Sequence, residues 1–460
     1  MTSSSPPTAG PGATTDADSV VPQRAVLVLP STAEFDSRTY RIASALAARG
    51  HTVTVLARWK EGLAPSERHP AGYAIERVAV DALDALPGAR LAARLFHVAA
   101  PSRSAAGTGS GAPAPAPGGR SPAEARPRSF GGWLLGGFRR LSILLVIRSQ
   151  AVATRRIAPA ADVYHGMAYM GVPVALDLAG RHGGRVVYDA RDIYVDAANL
   201  ARLPRWLRRL IGWRERGWAR RVDRVFTVNH PYAEVMARRW RVDEPAIVMN
   251  CAYRTVPPTP REHRFHEVLG LPPEQRIVLY HGGFSRDRGI EQLIAAIADV
   301  PAATLVLLGY GALQAELEGR AADPAVGGRI RVLPAVPPTE LLSWIASADV
   351  VAMPIQPTTL NHRLTTPNKL FEAMAAGVPV VASDLPGMAP IVRETGCGVL
   401  VDPADPAAIA AALRGVLATP PDEMAAWRER CSAAARETYN WERQLEFLLA
   451  EYGRLTGKPW

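Results

Sequence analysis

The chain has 460 residues, too many for one ordinary domain, and 48% of them are hydrophobic, enough to bury substantial cores. Its three cysteines, Cys251, Cys397 and Cys431, are widely spaced and form neither a metal-ligand pattern nor a disulfide framework, which points to a reducing cytoplasm. The formal net charge is +10, residues 1–22 lack the apolar core of a signal peptide, and no stretch reaches the roughly 20 apolar residues of a membrane helix.

Residues 1–22 read as a disordered tail. Short apolar runs follow at Ala25–Leu29, Thr52–Ala57, Ala74–Ala79, Asp162–His165, Arg185–Tyr188, Arg224–Val228 and Ala246–Met249, with helical patterns between nearly all of them. Unbroken apolar runs separated by helices predict a parallel sheet covered on both faces. Residues 101–128 are almost entirely Pro, Ala, Gly, Ser and Arg, and are expected to be a disordered insertion. Several polar residues stand at strand ends of this half. Asp36 is placed to cap a helix, with Arg38 in the first turn, where a cation is electrostatically disfavoured. His165 ends one strand, where its imidazole is expected to face a crevice or else to serve as a structural histidine. Asp189 and Arg191 follow another, with no histidine or cysteine cluster to make a metal site.

Between Arg202 and Arg224 lie nine arginines and two acids, together with Trp206, Trp213 and Trp218. Leu203, Trp206, Leu207, Leu210 and Ile211 recur at helical spacing, predicting an apolar face with a basic margin. The segment reads either as a surface helix with snorkelling arginines or as a contact with an anionic membrane or phosphate-bearing lipid. No helix-turn-helix, zinc spacing or aromatic RNA-binding motif accompanies it, so nucleic acid is not expected as a partner.

After the Pro-rich link Val256-Pro-Pro-Thr-Pro260, a second set of runs begins at Ile277–His281, Thr304–Leu308, Ile330–Leu333, Val350–Met353, Val378–Ala382 and Gly398–Val401. Two doubly wound domains follow, with ligands expected in the crevice at the strand ends. The loop His281-Gly-Gly-Phe-Ser-Arg-Asp-Arg-Gly289 offers Gly282 and Gly283 for close approach and Arg286 and Arg288 for phosphate oxygens. It is no Walker loop, and no G-x-G-x-x-G opens the first domain. The segment TTPNKLFEAMAAGVPVV, Thr365 to Val381, holds a helix with Thr366 as predicted N-cap, Pro367 at the first helical position and Gly377 at the C-terminal stop. Asn368, Lys369 and Glu372 share one patch near its start. Free N–H groups, the dipole and a lysine suit phosphates, and the carboxylate suits ribose hydroxyls; a plain solvated ion pair is the alternative.

PNKLFEAMAAGVPVV, YHGGFSRDRGIEQLI, VYDARDIY, DSRTYRIASALAARGHTVTVL and YNWERQLEFLLAEY together resemble glycosyltransferase family 4, retaining enzymes of the GT-B fold. The resemblance implies an α/β chain of two Rossmann-like domains facing a cleft. Residues 23–255 would bind the acceptor, 256–436 the nucleotide sugar, and 437–460 would carry a helix back to the first domain. Glu372 matches the glutamate that binds ribose. Arg288 stands where the family usually has a phosphate-binding lysine, and Gly283 where it commonly has an arginine. Leu364 stands eight residues before Glu372, where many members have a second glutamate that contacts the donor sugar. This pattern looks like a distinct branch of the family.

The implied activity is retaining transfer of a sugar from a nucleotide sugar to a glycan, lipid-linked or small-molecule acceptor in surface polysaccharide or glycoconjugate synthesis. Arg288, Lys369, Glu372 and His165 are the implied catalytic group. Gly282, Gly283, Arg286, Arg288, Asn368, Lys369 and Glu372 would hold the donor, and Arg38, His165, Asp189 and Arg191 would line the acceptor side. No cofactor or metal is expected. The alternatives are an epimerase or hydrolase of the same fold, or a silent nucleotide-sugar-binding homologue. The expected location is the cytoplasm, with peripheral attachment to the inner face of the plasma membrane as an option.

Overall fold

The computed structural model describes residues 21–34, 36–80, 145–323 and 328–460. The insertion predicted at 101–128 and residues 1–20 of the predicted tail lie outside them. The first half forms strands β1 (Arg24–Val28), β2 (Thr52–Arg58), β3 (Ser66–Arg68), β4 (Ala74–Val78), β5 (Val163–Met167), β6 (Arg185–Asp189), β7 (Arg224–Thr227) and β8 (Ala246–Ile247). They make one sheet in the order β3-β4-β2-β1-β5-β6-β7-β8. The second half forms β9 (Arg276–Gly283), β10 (Ala303–Tyr310), β11 (Ile330–Pro334), β12 (Val350–Met353), β13 (Val380–Ser383) and β14 (Gly398–Val401), ordered β11-β10-β9-β12-β13-β14. This is the two-domain GT-B fold expected from the sequence.

The apolar runs are continuous because both faces of each sheet are covered. Ala25 to Leu29 are each no more than 1% exposed, although consecutive side chains point to opposite faces. Every predicted run falls on a strand. The exception in the other direction is β3, which pairs antiparallel with β4 and carries only Ser66, Glu67 and Arg68. It lies exposed at the sheet edge, so it leaves no apolar signal, and the first sheet is mixed rather than purely parallel.

Strand order reverses between β1 and β5 in one sheet and between β9 and β12 in the other. At such switch points the adjacent loops diverge and open a crevice at the carboxyl ends. The chain passes from one sheet to the other over 248–263 without regular structure. It returns at the end: Trp441, Leu445, Leu448, Leu449 and Tyr452 of helix Trp441–Thr456 share a core with Leu27, Ile42 and Val55 of the first sheet and its helix. Asn440 caps this helix by accepting from the Arg443 N–H at 3.0 Å.

The arginine-rich segment folds as helix Arg205–Ala219. Its buried residues are Leu207, Ile211, Glu215 and Ala219, a stripe four residues apart. Trp206, expected on the apolar face, is instead 60% exposed. The stripe already fills the contact, and residue 206 points about a quarter turn away from it. Among the described residues no helix is long and apolar enough to cross a membrane.

Candidate functional site

The crevice side of the second domain is built from the end of β9 and the helix Asn368–Ala375. This helix begins one residue later than predicted. Pro367, not Thr366, occupies the N-cap position, and no side chain caps the first turn. Thr366 is engaged elsewhere: its hydroxyl donates to the Gly387 carbonyl and accepts from Asn229 Nδ2 at 3.0 Å. The helix therefore presents uncapped N–H groups, the arrangement that suits an anion. At its other end Gly377 is left-handed with φ 65°, as expected.

Lys369 folds back over the β9 terminus. Its Nζ lies 4.8 Å from the centre of the Tyr280 ring, a cation–π distance. It would be 2.8 Å from a Cβ on Gly282, whose φ of 108° also disfavours other residues. Burial lowers the Lys369 pKa to about 7, assisted by the charge of Arg288 and opposed by Glu372. One turn along, Glu372 accepts a hydrogen bond from His281 Nε2 at 2.9 Å. Burial works against its ionisation, but the hydrogen bond from His281 and the charges of Arg41 and Lys369 outweigh burial and lower its pKa. Burial lowers the His281 pKa despite Glu372, so the ring is neutral near pH 7 and donates through Nε2. Its Nδ1 is buried without a hydrogen-bond partner among the described residues.

Arg288 has no hydrogen bond or ion pair among the described residues. Its charge reaches Lys369 in its own domain, and Asp192 and Tyr232 across the crevice. The first domain answers with Asp192, whose pKa is raised by burial against the pull of Asn361, Arg191 and Arg288. Asn361 ties the two domains. Its Oδ1 accepts from the Ile193 N–H at 2.7 Å, its Nδ2 donates to Asp192 at 2.9 Å, and its carbonyl accepts from the Tyr232 hydroxyl at 2.8 Å. Asn229 Nδ2 adds a bond to the Leu364 carbonyl at 2.8 Å. Leu364 itself is buried in a first-domain cluster with Tyr188, Ile193 and Tyr232. An acidic side chain there would sit in apolar packing.

Three residues expected at the acceptor side are drawn into the core instead. Arg38, His165 and Asp189 are each 0% exposed. Arg38 Nε and Nη2 grip the Asp189 carboxylate at 2.5 and 3.1 Å, and Nη1 donates to the Val248 carbonyl. His165 Nε2 lies 3.3 Å from Asp189, and Nδ1 meets the Tyr452 hydroxyl at 2.5 Å. The expectation that the His165 imidazole faces the crevice is therefore corrected: it points into the sheet's helix-covered face, toward the returning C-terminal helix. The disfavoured position of Arg38 in its first turn is explained by this buried pair. Arg191 is half-buried and grips Asp36 at 2.9 and 2.8 Å, while Asp36 also caps helix Ser37–Ala48.

Gly283 and Arg286 are exposed on the β9 loop, and a Cβ on Gly283 would meet nothing within 4 Å. Asn368 is half-buried at the helix start. Two further residues, His281 and Arg41, face the crevice without a motif that marks them in the sequence. His281 opens the glycine-containing loop at the end of β9. Arg41 lies one turn beyond Arg38, donates to Asn250 Oδ1 at 2.8 Å, and reaches Glu372 across the crevice. The spacing of three from Arg38 was the available signal for Arg41. No group of three or more His, Cys, Asp or Glu residues fit to hold a metal occurs among the described residues.

Residues 275–419 match the family described as "Glycosyl transferases group 1". The chain is 32% identical over 209 residues to the D-inositol 3-phosphate glycosyltransferase of Xylanimonas cellulosilytica, covering 44% of this chain and 48% of that protein. The chain thus spans about half the length of the curated relatives it matches. Among solved structures, sucrose-phosphate synthase from Thermosynechococcus elongatus superposes with a TM-score of 0.69 at 20% identity, over 95% of this chain and 99% of that one. Anabaena HepE, solved in complex with UDP-glucose, superposes at 0.61 and 15% identity, over 94% and 100%. The Lys369 and Glu372 helix, His281, Gly282 and Arg288 all lie within the matched residues, and the chain as a whole has the GT-B fold.

Proposed function

We propose that the protein is a retaining glycosyltransferase of family 4 that moves a hexose-type sugar from a nucleotide-sugar donor to a glycan, lipid-linked or small-molecule acceptor. The observation that carries this reading is the cluster at the β9–β12 switch point, where Lys369, Arg288 and uncapped helix N–H groups converge beside the His281–Glu372 pair. The cations and N–H groups suit a diphosphate, and the carboxylate suits two ribose hydroxyls. One structural neighbour was solved with UDP-glucose, which supports a nucleotide-sugar donor.

In this reading Arg288 and Lys369 stabilise the departing diphosphate by preorganised charge. The sugar–oxygen bond to the diphosphate breaks while the acceptor oxygen bonds the same face of the anomeric carbon. A leaving phosphate oxygen takes the acceptor proton, so no protein base is assigned, and His165 is not placed among the reacting groups. No metal is assigned, since the cations supply the positive charge. The exposed tryptophans and arginines of 202–224 support peripheral attachment to an anionic membrane surface. That placement suits a lipid-linked or surface-polysaccharide acceptor.

The test is incubation with a panel of nucleotide sugars, with and without acceptors, followed by product analysis. Acceptor-dependent release of nucleoside diphosphate with the anomeric configuration kept is expected. Release without acceptor would indicate a hydrolase, conversion of the donor sugar an epimerase, and binding without turnover on any acceptor a silent homologue.

A further inference from the structure

A second cavity, of about 450 Å³, lies in the first domain beneath the arginine-rich helix. The helix Arg205–Ala219, the helix His230–Trp240 and the segment Ile193–Asp196 enclose it. Five arginines line it against two acids. The acids are already committed. Asp196 pairs with Arg208 and with Arg239, the latter at 2.6 Å. Glu215 is only 2% exposed and accepts from the Tyr188 hydroxyl at 2.7 Å, on the core side of the helix. The guanidinium groups of Arg205, Arg209 and Arg216 have no hydrogen bond or ion pair among the described residues.

The rim carries apolar surface as well. Trp213, a lining residue, is 64% exposed, and Trp206 on the same helix is 60% exposed. The guanidinium of Arg214 stacks over Trp213 at 5.2 Å from the ring centre. Large aromatic rings standing in solvent beside unpaired arginines match the polar–apolar boundary of a bilayer, where indole rings settle at headgroup depth. A water-soluble anion would use the arginines but would leave the tryptophans without a partner.

We propose that this cavity is a receptor for the phosphate of an anionic phospholipid headgroup. Arg205, Arg209 and Arg216 bind the phosphate oxygens, and Trp206 and Trp213 enter the adjoining interface. The proposal rests on the peripheral attachment assigned above but locates it: the phosphate enters one cavity and is not merely attracted to a diffuse positive face. Guanidinium forks at three places around a cavity of this size can satisfy phosphate oxygens in pairs. The wall Ile193–Asp196 directly follows Asp192, so the docked surface adjoins the acceptor side of the crevice.

The experiment is sedimentation of the full chain with vesicles of phosphatidylcholine alone and of phosphatidylcholine mixed equally with phosphatidylglycerol. Three proteins are compared: wild type, R205E/R209E/R216E, and a control, R214E/R220E/R221E, with the same charge change at exposed arginines outside the cavity. Wild type is expected to bind only the mixed vesicles, and more weakly as salt rises. The cavity triple is expected to lose binding by about tenfold or more relative to the control triple. Equal losses in both triples would overturn the cavity and leave only diffuse attraction. Binding of glycerol phosphate in solution without vesicle binding would overturn the lipid assignment. Thermal unfolding of each variant shows whether it is folded; should the triple not fold, W206A/W213A is expected to lose vesicle binding alone. Nucleotide binding, measured in parallel, is expected to be the same in all of them, so failure of this proposal is distinct from failure of the transferase reading.

Discussion

The ammonium of Lys369 occupies space that a side chain on Gly282 would need, 2.8 Å from where its Cβ would be. The glycine and the lysine therefore form one unit: the missing side chain lets the cation close over the strand end. Gly282→Ala is expected to displace Nζ and to weaken nucleoside diphosphate binding by about tenfold or more, the loss of one charge-assisted hydrogen bond. Calorimetry with a set of nucleoside diphosphates measures this, and unchanged affinity would show that the lysine does not contact the ligand.

The lowered pKa of Lys369, about 7, makes binding depend on pH. A diphosphate favours the charged amine and raises its pKa, so binding takes up a proton wherever the free protein has lost it. Affinity is expected to be greatest below pH 7 and to fall as pH rises through that value, by up to about tenfold per unit. Titrations in buffers of different ionisation enthalpy reveal the proton uptake. Lys369→Met should lower the affinity and flatten this profile.

His281 holds Glu372 at 2.9 Å and also lowers its pKa. Removing the ring leaves the carboxylate free to turn and harder to ionise. His281→Ala is expected to cost about 1–3 kcal/mol of nucleoside diphosphate affinity. His281→Gln retains a donor at similar reach and should recover part of it. A nucleoside monophosphate series separates ribose effects from diphosphate effects, because only the first should respond to His281.

Much of the fold was legible because parallel sheets covered on both faces leave unbroken apolar runs, and each predicted run lies on a strand. What escaped was β3, three polar residues on an exposed edge. At the site, the patch formed by Lys369 and Glu372 followed from helical spacing alone. The partner of Glu372 did not, since His281 is 91 positions earlier and reaches it only through the β9–helix packing. Position misled for three residues: His165, expected at a strand end, is the middle residue of β5, Arg38 lies in the first turn of helix Ser37–Ala48, and Asp189 ends β6, yet all three turn into the core. A residue at a strand end faces the crevice only if no element covers that end, and the returning helix with Tyr452 covers this one.

That buried cluster has its own consequence. Asp189→Ala would leave Arg38 and His165 fully buried without their carboxylate, and is expected to destabilise the protein by about 3–5 kcal/mol. Urea unfolding measures it. If His165 served the reaction directly, His165→Asn would abolish turnover at unchanged stability; the expected result is a loss of stability instead.

Asn361 is a polar tie between the domains, bonding Ile193 and Asp192 through its side chain. Asn361→Ala should favour an open arrangement of the two domains. Small-angle scattering is expected to show a larger radius of gyration, and donor affinity should fall because Arg288 is then separated from the first domain. An unchanged scattering profile would assign the interface to the surrounding packing instead.

The assignment of the crevice to a nucleotide is tested most directly by titrating nucleoside diphosphates into folded wild-type protein, Glu372→Ala and Arg288→Ala. Wild type is expected to bind at least one of them, with affinity reduced about tenfold or more in each variant. Wild-type affinity in both variants, with melting temperatures unchanged, would contradict the placement of the donor in this crevice.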